Sequence, residues 1–247
     1  MSVFEMNPAS IYNLSKILQR QNTSFRDLSD RLLALSQSQR APPAILDVAE
    51  KGLKSSDKHL QQLALQSLSE LGKAGDPQAL LRLGEVSRQA GKTKEARTLF
   101  SKAADGGLAM GWVSLARMEI QNQDLVEARK YLALAAAKEC TEAYSIQAHL
   151  TNDTATKINI LQKAAALGSR EAAHNLGDIY RRQQNTELSK DWFEVAAQSG
   201  FQVSQYNLAM LLKEETALSD AKYWFSMVKV GGGEIGLDAE KQLKDME

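Results

Sequence analysis

The chain has 247 residues and a mass of 27.2 kDa, with 43% apolar and 24% charged residues, which is typical of a folded globular protein. Thirty basic residues balance thirty acidic ones, so no net charge attracts nucleic acid or an anionic membrane. The single cysteine, Cys140, excludes an intramolecular disulfide framework and a zinc site built from several thiolates, and no apolar run approaches the roughly 18 residues of a membrane span.

Residues 1–42 form a prefix that we expect to cap the N-terminal end of the fold. Two helical patterns, at about 8–20 and 24–36, precede Pro42 and Pro43, which end the prefix. The prefix carries five Lys or Arg against three acids, and its alternatives are a partner-docking element and a mitochondrial targeting segment.

The remainder of the chain is predicted to be helical. No proline follows Pro77, and good helix formers dominate the composition. The glycines are spaced, without a GxGxxG or GxxxxGK[ST] phosphate-binding loop. The one triplet, Gly231 to Gly233, predicts a helix C-terminus followed by a flexible link.

Two motifs recur along the chain at a nearly constant spacing. The first, usually a leucine before a small residue, has small positions at steps of 32, 32, 29 and 32: Gly84, Ala116, Ala148, Gly177 and Ala209. The second reads small, bulky, bulky, small, small, and its adjacent bulky columns are Leu99, Tyr131, Ile160, Trp192 and Trp224, then Phe100, Leu132, Leu161, Phe193 and Phe225. Because residues at i, i+3, i+4 and i+7 share a helix face, each pair of motifs predicts two antiparallel helices that pack through small side chains, with the tryptophans in the core.

The turn after each second helix is predicted to use a left-handed backbone. The expected positions are Gly107, Gly168, Gly200 and Gly232, with Glu139 as the exception.

The clearest unit reads Ala172-Ala-His-Asn-Leu-Gly-Asp-Ile-Tyr180, then Ser189-Lys-Asp-Trp-Phe-Glu-Val-Ala-Ala-Gln-Ser-Gly200. It closely resembles the Sel-one-like repeat, a relative of the tetratricopeptide repeat, with the pattern A-x-x-x-L-G-x-x-Y followed by A-x-x-W-x-x-x-A-A-x-x-G. The resemblance spans about residues 76–232 and extends weakly back to about 43. The family's long loop between paired helices is absent, and Lys157 and Glu139 break the columns, so the unit at 140–168 is the most degenerate. Assignment between the two related repeat families stays open.

The resemblance implies an all-α, right-handed alpha-alpha superhelix, a solenoid of about six helix hairpins. We expect an N-terminal helical prefix at 1–42, repeats at 43–232 with a degenerate first hairpin, and a capping helix at 233–247.

Little in the sequence predicts catalysis. His59, His149 and His174 are the only histidines, and all three are expected to be ordinary surface residues without a metal. Cys140 lies nine residues before His149, but no orienting group or oxyanion hole is predicted beside it. We therefore expect no enzyme, no cofactor and no metal site. A hydrolase is the weakest alternative, since the family members described as hydrolases are cysteine-rich.

In these repeats the first helix of each hairpin lines the concave face. Three transverse rows are predicted there: Leu81, Val113, Ser145, His174 and Tyr206; Glu85, Arg117, His149, Asp178 and Met210; and Arg88, Ile120, Asn152, Arg181 and Lys213. Arginine and tyrosine beside apolar residues favour recognition of a protein segment. The predicted partner-binding residues are Glu85, Arg88, Arg117, His149, His174, Asp178, Arg181, Tyr206 and Lys213.

These features predict a non-catalytic adaptor or complex-assembly scaffold that binds a protein or peptide segment, with no membrane span. The alternative from another class is an organellar RNA-binding helical-repeat protein, supported by Arg88, Arg181, Arg182 and Lys213 but opposed by Glu85 and Asp178, which interrupt the positive charge. We expect a cytoplasmic location, with the mitochondrial matrix as the alternative.

Overall fold

The computed structural model describes residues 42–246, which form thirteen helices and no strand. The described residues divide into two compact units, residues 42–135 and 136–246. Within each unit, successive helices are joined by short turns and pack on one another, as the repeated motifs predict. Apart from Pro42, the predicted prefix at 1–42 lies outside the described residues.

The described part of the first unit contains six helices, the last of which ends at the unit boundary. Pro77 is at the first position of its helix, where the missing N–H costs nothing, and the Asp76 carboxylate accepts a hydrogen bond of 2.8 Å from the Ala79 amide. The helices are α1 (Pro42–Leu53), α2 (Lys58–Lys73), α3 (Pro77–Gln89), α4 (Thr93–Asp105), α5 (Ala109–Gln121) and α6 (Leu125–Ala136).

The second unit continues the pattern and ends on a single additional helix. Its helices are α7 (Thr141–His149), α8 (Thr154–Ala166), α9 (Arg170–Arg182), α10 (Thr186–Gln198), α11 (Gln202–Glu214), α12 (Leu218–Gly231) and α13 (Gly233–Lys244). The glycine triplet was predicted to include a flexible link. Instead α13 starts at Gly233, and the Gln202 amide donates hydrogen bonds to the carbonyls of Val228 (3.0 Å) and Gly232 (2.9 Å).

The second bulky column of the repeat forms the core. All five of its side chains are buried: Phe100, Leu132, Leu161, Phe193 and Phe225. The tryptophans in the preceding column differ from the prediction, because Trp192 and Trp224 are half-buried and pack against the edges of their clusters. The buried face of the second helix in each hairpin is therefore centred on the phenylalanine and leucine positions.

Small residues on the first helices let the paired helices approach closely. A Cβ atom added at Gly84 would lie 2.5 Å from the Phe100 ring, and one added at Gly177 would lie 2.5 Å from the Phe193 ring. Two other hairpins hold alanine and leucine at the corresponding positions, namely Ala116 with Leu132 and Ala148 with Leu161. The fifth hairpin pairs Ala209 with Phe225, so it has alanine rather than glycine at the small position and phenylalanine rather than leucine at the bulky position.

The left-handed turns are confirmed at every predicted position. The backbone φ angle is 93° at Gly107, 88° at Gly168, 78° at Gly200 and 69° at Gly232, and the exception Glu139 adopts 56°. In several of these turns, the amide after the left-handed residue bonds to the carbonyl five residues earlier, as from Phe201 to Ala196 at 3.0 Å. The repeat period therefore fixes backbone geometry as well as side-chain burial.

The degenerate repeat departs from this regular geometry. The first helix α7 has nine residues, whereas α3, α5, α9 and α11 each have thirteen. Asn152 was predicted on a first helix but lies in the loop between α7 and α8, because α7 ends at His149. The one shortened step of the repeat register thus comes from loss of the last turn of this helix.

Candidate functional site

The predicted residues on α9 lie together along one side of that helix. His174, Asp178 and Arg181 occupy positions i, i+4 and i+7, so their side chains follow one another on one face. The Asp178 carboxylate accepts a hydrogen bond of 2.9 Å from Arg181 and lies 3.6 Å from the His174 Nε2 atom. The Arg181 guanidinium also lies 5.9 Å from the centre of the Phe193 ring. This polar row is therefore held in place by its own contacts and by the core beneath it.

His174 is half-buried rather than an ordinary surface histidine as predicted. Its Nδ1 atom is 2.8 Å from the Ser204 hydroxyl of α11, and its ring lies 5.5 Å from the Phe193 ring and 5.1 Å from the Phe201 ring. Burial lowers the pKa of His174, and the nearby Asp178 carboxylate opposes that shift only in part. The neutral imidazole is thus favoured in the folded state.

Tyr206 and Lys213 extend from α11 to the terminal helix α13. The Tyr206 hydroxyl donates a hydrogen bond of 2.6 Å to Asp238, and the Lys213 ammonium donates one of 2.8 Å to Gln242. Burial and the Asp238 carboxylate raise the pKa of Tyr206 to about 12, so the phenol stays protonated. The contacts from His174 to Ser204 and from Tyr206 to Asp238 place α9, α11 and α13 side by side.

The first unit holds three of the predicted residues. Glu85 is half-buried and accepts a hydrogen bond of 3.1 Å from Arg82, which also pairs with Glu50 of α1. Arg88 is exposed near the end of α3, and Arg117 is exposed on α5. The structure therefore gives Glu85 a structural ion pair and leaves the two arginines at the surface.

Several residues in the predicted rows do not line a surface. Leu81 and Val113 are buried in the core. Ser145 donates to the Thr141 carbonyl of its own helix at 3.2 Å, and Met210 packs against the terminal core cluster. The predicted row that begins with Leu81 and Val113 therefore lies, in the first unit, on the helix side that packs into the core and not on a binding surface.

His149 is exposed at the end of α7 and lines a cleft of about 200 Å³ that Asp178 also lines. Two further basic residues of this cleft, Lys157 and Arg182, were not among the predicted site residues. In the sequence, Lys157 stands out because it breaks a column of small residues, and that break was the available signal.

The contact between Tyr206 and Asp238 was not predicted, although the repeat spacing indicates it. Asp238 follows Tyr206 at the same spacing by which Tyr206 follows His174, so Asp238 is the next member of the same row. The terminal helix therefore continues the first-helix register.

The described residues offer little for catalysis or metal binding. Within residues 42–246, no three His, Cys, Asp or Glu side chains lie close enough together to hold a metal ion. Cys140 is half-buried at the N-terminal end of α7. None of the helices in this range is long and apolar enough to cross a membrane.

Comparison with known proteins supports the fold through structure rather than sequence. No protein-family model and no curated protein matches the chain. A Sel1 repeat protein from Oxalobacter formigenes has a TM-score of 0.59 at 21% identity, over 80% of this chain and 89% of its own. A protective antigen with an SLR fold, present in uropathogenic Escherichia coli strains, has a TM-score of 0.59 at 19% identity over 90% of this chain, which spans about half (51%) of that antigen.

An immunity protein from Pseudomonas aeruginosa has a TM-score of 0.51 at 16% identity, over 79% of this chain and 82% of its own. Identities in this range speak for the fold and not for a shared partner. Together with the helix pairs and turns described above, they confirm the family resemblance seen in the sequence: the chain has the all-α helix-hairpin repeat fold of the Sel1-like and tetratricopeptide-like proteins.

Proposed function

We propose that the protein is a non-catalytic adaptor or assembly scaffold that binds a protein segment along the first helices of its hairpins. The observation that carries this proposal is the continuous polar row of the second unit, where His174, Asp178 and Arg181 on α9 are followed by Tyr206 on α11 and Asp238 on α13. Side chains already held by hydrogen bonds lose little conformational entropy when a partner binds.

The row has the chemistry of a protein-binding surface. It offers an arginine stacked on an aromatic ring, a tyrosine and acidic groups within one face, and arginine and tyrosine are over-represented among residues that dominate binding energy. Sel1-type and tetratricopeptide-type folds generally mediate contacts between proteins, which agrees with this chemistry.

The RNA-binding alternative fits these contacts less well. Arg181 is paired with Asp178, and Lys213 is bonded to Gln242, so neither cation is oriented for a phosphate. A phosphate-binding surface needs basic residues that neutralise several phosphates at once.

Affinity capture from the native host, followed by identification of the bound chain and titration of the two purified proteins, tests the proposal. Arg181→Glu should weaken binding by at least about tenfold while circular dichroism stays unchanged, because it reverses a charge on the proposed surface. The control Lys163→Glu reverses an exposed charge on the second helix α8 and should leave binding unchanged.

Equal binding by both variants would place the interface elsewhere. Binding of an RNA oligomer with a steep loss of affinity at higher salt would favour the RNA-binding class instead.

A further inference from the structure

The second helix α12 carries three exposed apolar side chains on one face. Tyr223, Met227 and Val230 occupy positions i, i+4 and i+7, so they lie in a line along the helix, which we call the apolar row. Their side chains are 58%, 44% and 85% exposed, whereas Phe225 of the same helix is fully buried in the core. The apolar row therefore lies on the side of α12 that points away from the core.

The packing of the repeat does not require apolar residues at these three positions. In the two preceding second helices, the equivalent residues are Asn159, Lys163 and Ala166 in α8, and Asp191, Val195 and Gln198 in α10. Both helices fold with mostly small or polar side chains there. Contiguous exposed apolar side chains rimmed by polar residues are typical of interaction sites.

An acidic row occupies the outer side of the neighbouring second helix α10. Its members are Glu187, Asp191 and Glu194, which are exposed and also occupy positions i, i+4 and i+7. Lys190 is the one basic residue of α10, and its ammonium is already paired with Glu215 at 2.7 Å. Three acids beside one paired cation leave this side of α10 negatively charged.

The apolar row and the acidic row border the same contact between α10 and α12. Trp224 of α12 packs against a core cluster that includes Phe193 and Ala197 of α10. Glu194 lies one turn before Ala197 on the same side of α10. Met227 lies one turn after Trp224 on the same side of α12. Packed helices lie about 8–10 Å apart, so one additional helix can contact both rows at once.

We propose that this surface of α10 and α12 binds a basic amphipathic helix of a partner protein. The apolar side of that helix covers the apolar row, and its lysine or arginine side chains face the acidic row. Charge complementarity of this kind selects the partner and speeds association. A second copy of the chain would bring the same acidic row, and an anionic membrane is also negative, so both would be repelled. The surface belongs to second helices and is separate from the polar row of the proposed function.

A designed peptide tests this inference. Its sequence, acetyl-AKLAAKLQKLAAKLQ-amide, places leucines on one helix face and lysines along one edge of that face. Two matched peptides replace every lysine by glutamate or every leucine by glutamine. Each peptide carries fluorescein, and its anisotropy during titration with the full chain measures binding. We expect a Kd of about 10–100 µM for the lysine peptide, as for a small transient interface, and at least about tenfold weaker binding of the other two.

Two double variants identify the residues that bind the peptide. Tyr223→Asn with Val230→Gln introduces residues found at these positions in α8 and α10, so it should weaken binding by about tenfold or more while circular dichroism stays unchanged. Asp191→Asn with Glu194→Gln should also weaken binding and should reduce the loss of affinity at higher salt. The control Val126→Gln makes the same change at an exposed valine of α6 and should bind normally.

Three results of the titrations would overturn the inference: no binding of the lysine peptide at about 1 mM, equal binding of the glutamate peptide, or normal binding by Tyr223→Asn with Val230→Gln. Loss of peptide binding in Arg181→Glu would overturn it as well, because the peptide would then use the polar row of the proposed function. If Arg181→Glu keeps the peptide and loses the captured partner, the two surfaces are independent.

Two further measurements exclude other occupants of the surface. Tighter binding of a peptide with the sequence of residues 8–20 than of the designed peptide would assign the surface to the chain's own prefix. A dimer in analytical ultracentrifugation that is lost in Tyr223→Asn with Val230→Gln would assign the surface to self-association. Either result would overturn the assignment to a partner helix.

Discussion

Replacing Gly177 by alanine tests whether the small-residue column sets the distance between paired helices. In an ordinary helix interior this change stabilises a protein by about 1 kcal/mol, because glycine is a poor helix former. At Gly177, however, the new Cβ atom would lie 2.5 Å and 2.7 Å from two carbons of the Phe193 ring. Normal contact between such atoms is about 3.5–4.0 Å, so the ring or the helix has to move by about 1 Å.

The ring has little room to move. Phe193 is fully buried and packs with Ala197, Leu208 and Leu211, and Arg181 lies over its face. Overpacking of a filled core costs about 1–3 kcal/mol. After the gain in helix propensity is subtracted, Gly177→Ala should lower the free energy of unfolding by about 0–2 kcal/mol.

A double-mutant cycle with Phe193→Leu sharpens this prediction. Leucine at 193 recreates the combination found at Ala148 and Leu161, so alanine at 177 should then stabilise the chain by about 1 kcal/mol. The coupling free energy between the two sites should be about 1–3 kcal/mol, with a change of sign between the two backgrounds. Ala209 with Phe225 indicates that alanine and phenylalanine coexist in a hairpin built around them, which limits the expected size of the effect.

Urea unfolding followed by circular dichroism measures the cycle, and native-state hydrogen exchange in α9 and α10 locates the change within the repeat array. Ala116→Gly serves as the control, because it should lose about 1 kcal/mol from helix propensity without relieving any clash. If Gly177→Ala stabilises the original chain as much as it stabilises the Phe193→Leu variant, the close approach does not depend on the glycine.

Three further predictions concern charge and backbone conformation. Glu119 is buried, and the Arg97 guanidinium lowers its pKa. Glu119→Gln should therefore lower the free energy of unfolding by about 1–2 kcal/mol at pH 7. In urea titrations, the difference between the two proteins should disappear as the pH falls below about 4.5. Burial lowers the pKa of His174 despite the nearby Asp178, so this imidazole binds a proton more readily in the unfolded chain than in the folded one. The free energy of unfolding should therefore fall as the pH decreases from about 7 to 5. In His174→Gln, the midpoint of urea unfolding should depend less on pH over this range. Gln184 has a φ angle of 60°, so Gln184→Gly should raise the free energy of unfolding by about 0.5–1 kcal/mol, and an unchanged or lower Tm would contradict this reasoning.

The fold was predictable because the same physical demands recur in every repeat. Each hairpin needs a small residue, a buried bulky side chain and a left-handed turn at fixed positions, as at Gly177, Phe193 and Gly200. These requirements restrict the residue type at each position, so they are visible in the sequence. The glutamate at position 139 adopts the left-handed conformation without being glycine, because the surrounding turn imposes it. Which bulky column lies deepest was harder to predict, since Trp192 and Phe193 are neighbours and differ by about 100° around the helix.

The candidate site was only partly predictable for a similar reason. Helix periodicity correctly grouped His174, Asp178 and Arg181 on α9, since they share one helix. Contacts between helices depend on how far each helix extends, and the 29-residue step in the sequence did not show which element had lost residues. Asn152 was accordingly assigned to a helix that ends at His149.

The degenerate repeat shows a change in one side chain and a change in helix length that occur together. At Ala96, Ala128, Ser189 and Ala221 a small residue lies fully buried, so these positions leave no space for a ligand. At Lys157 a long charged side chain and the loss of one helical turn occur together. Either change alone would be unfavourable, since a lysine would overfill a complete hairpin and a missing turn would leave an apolar void. Their combination accommodates the lysine in the shortened repeat, so Lys157 is half-buried where its counterparts in the other repeats are fully buried.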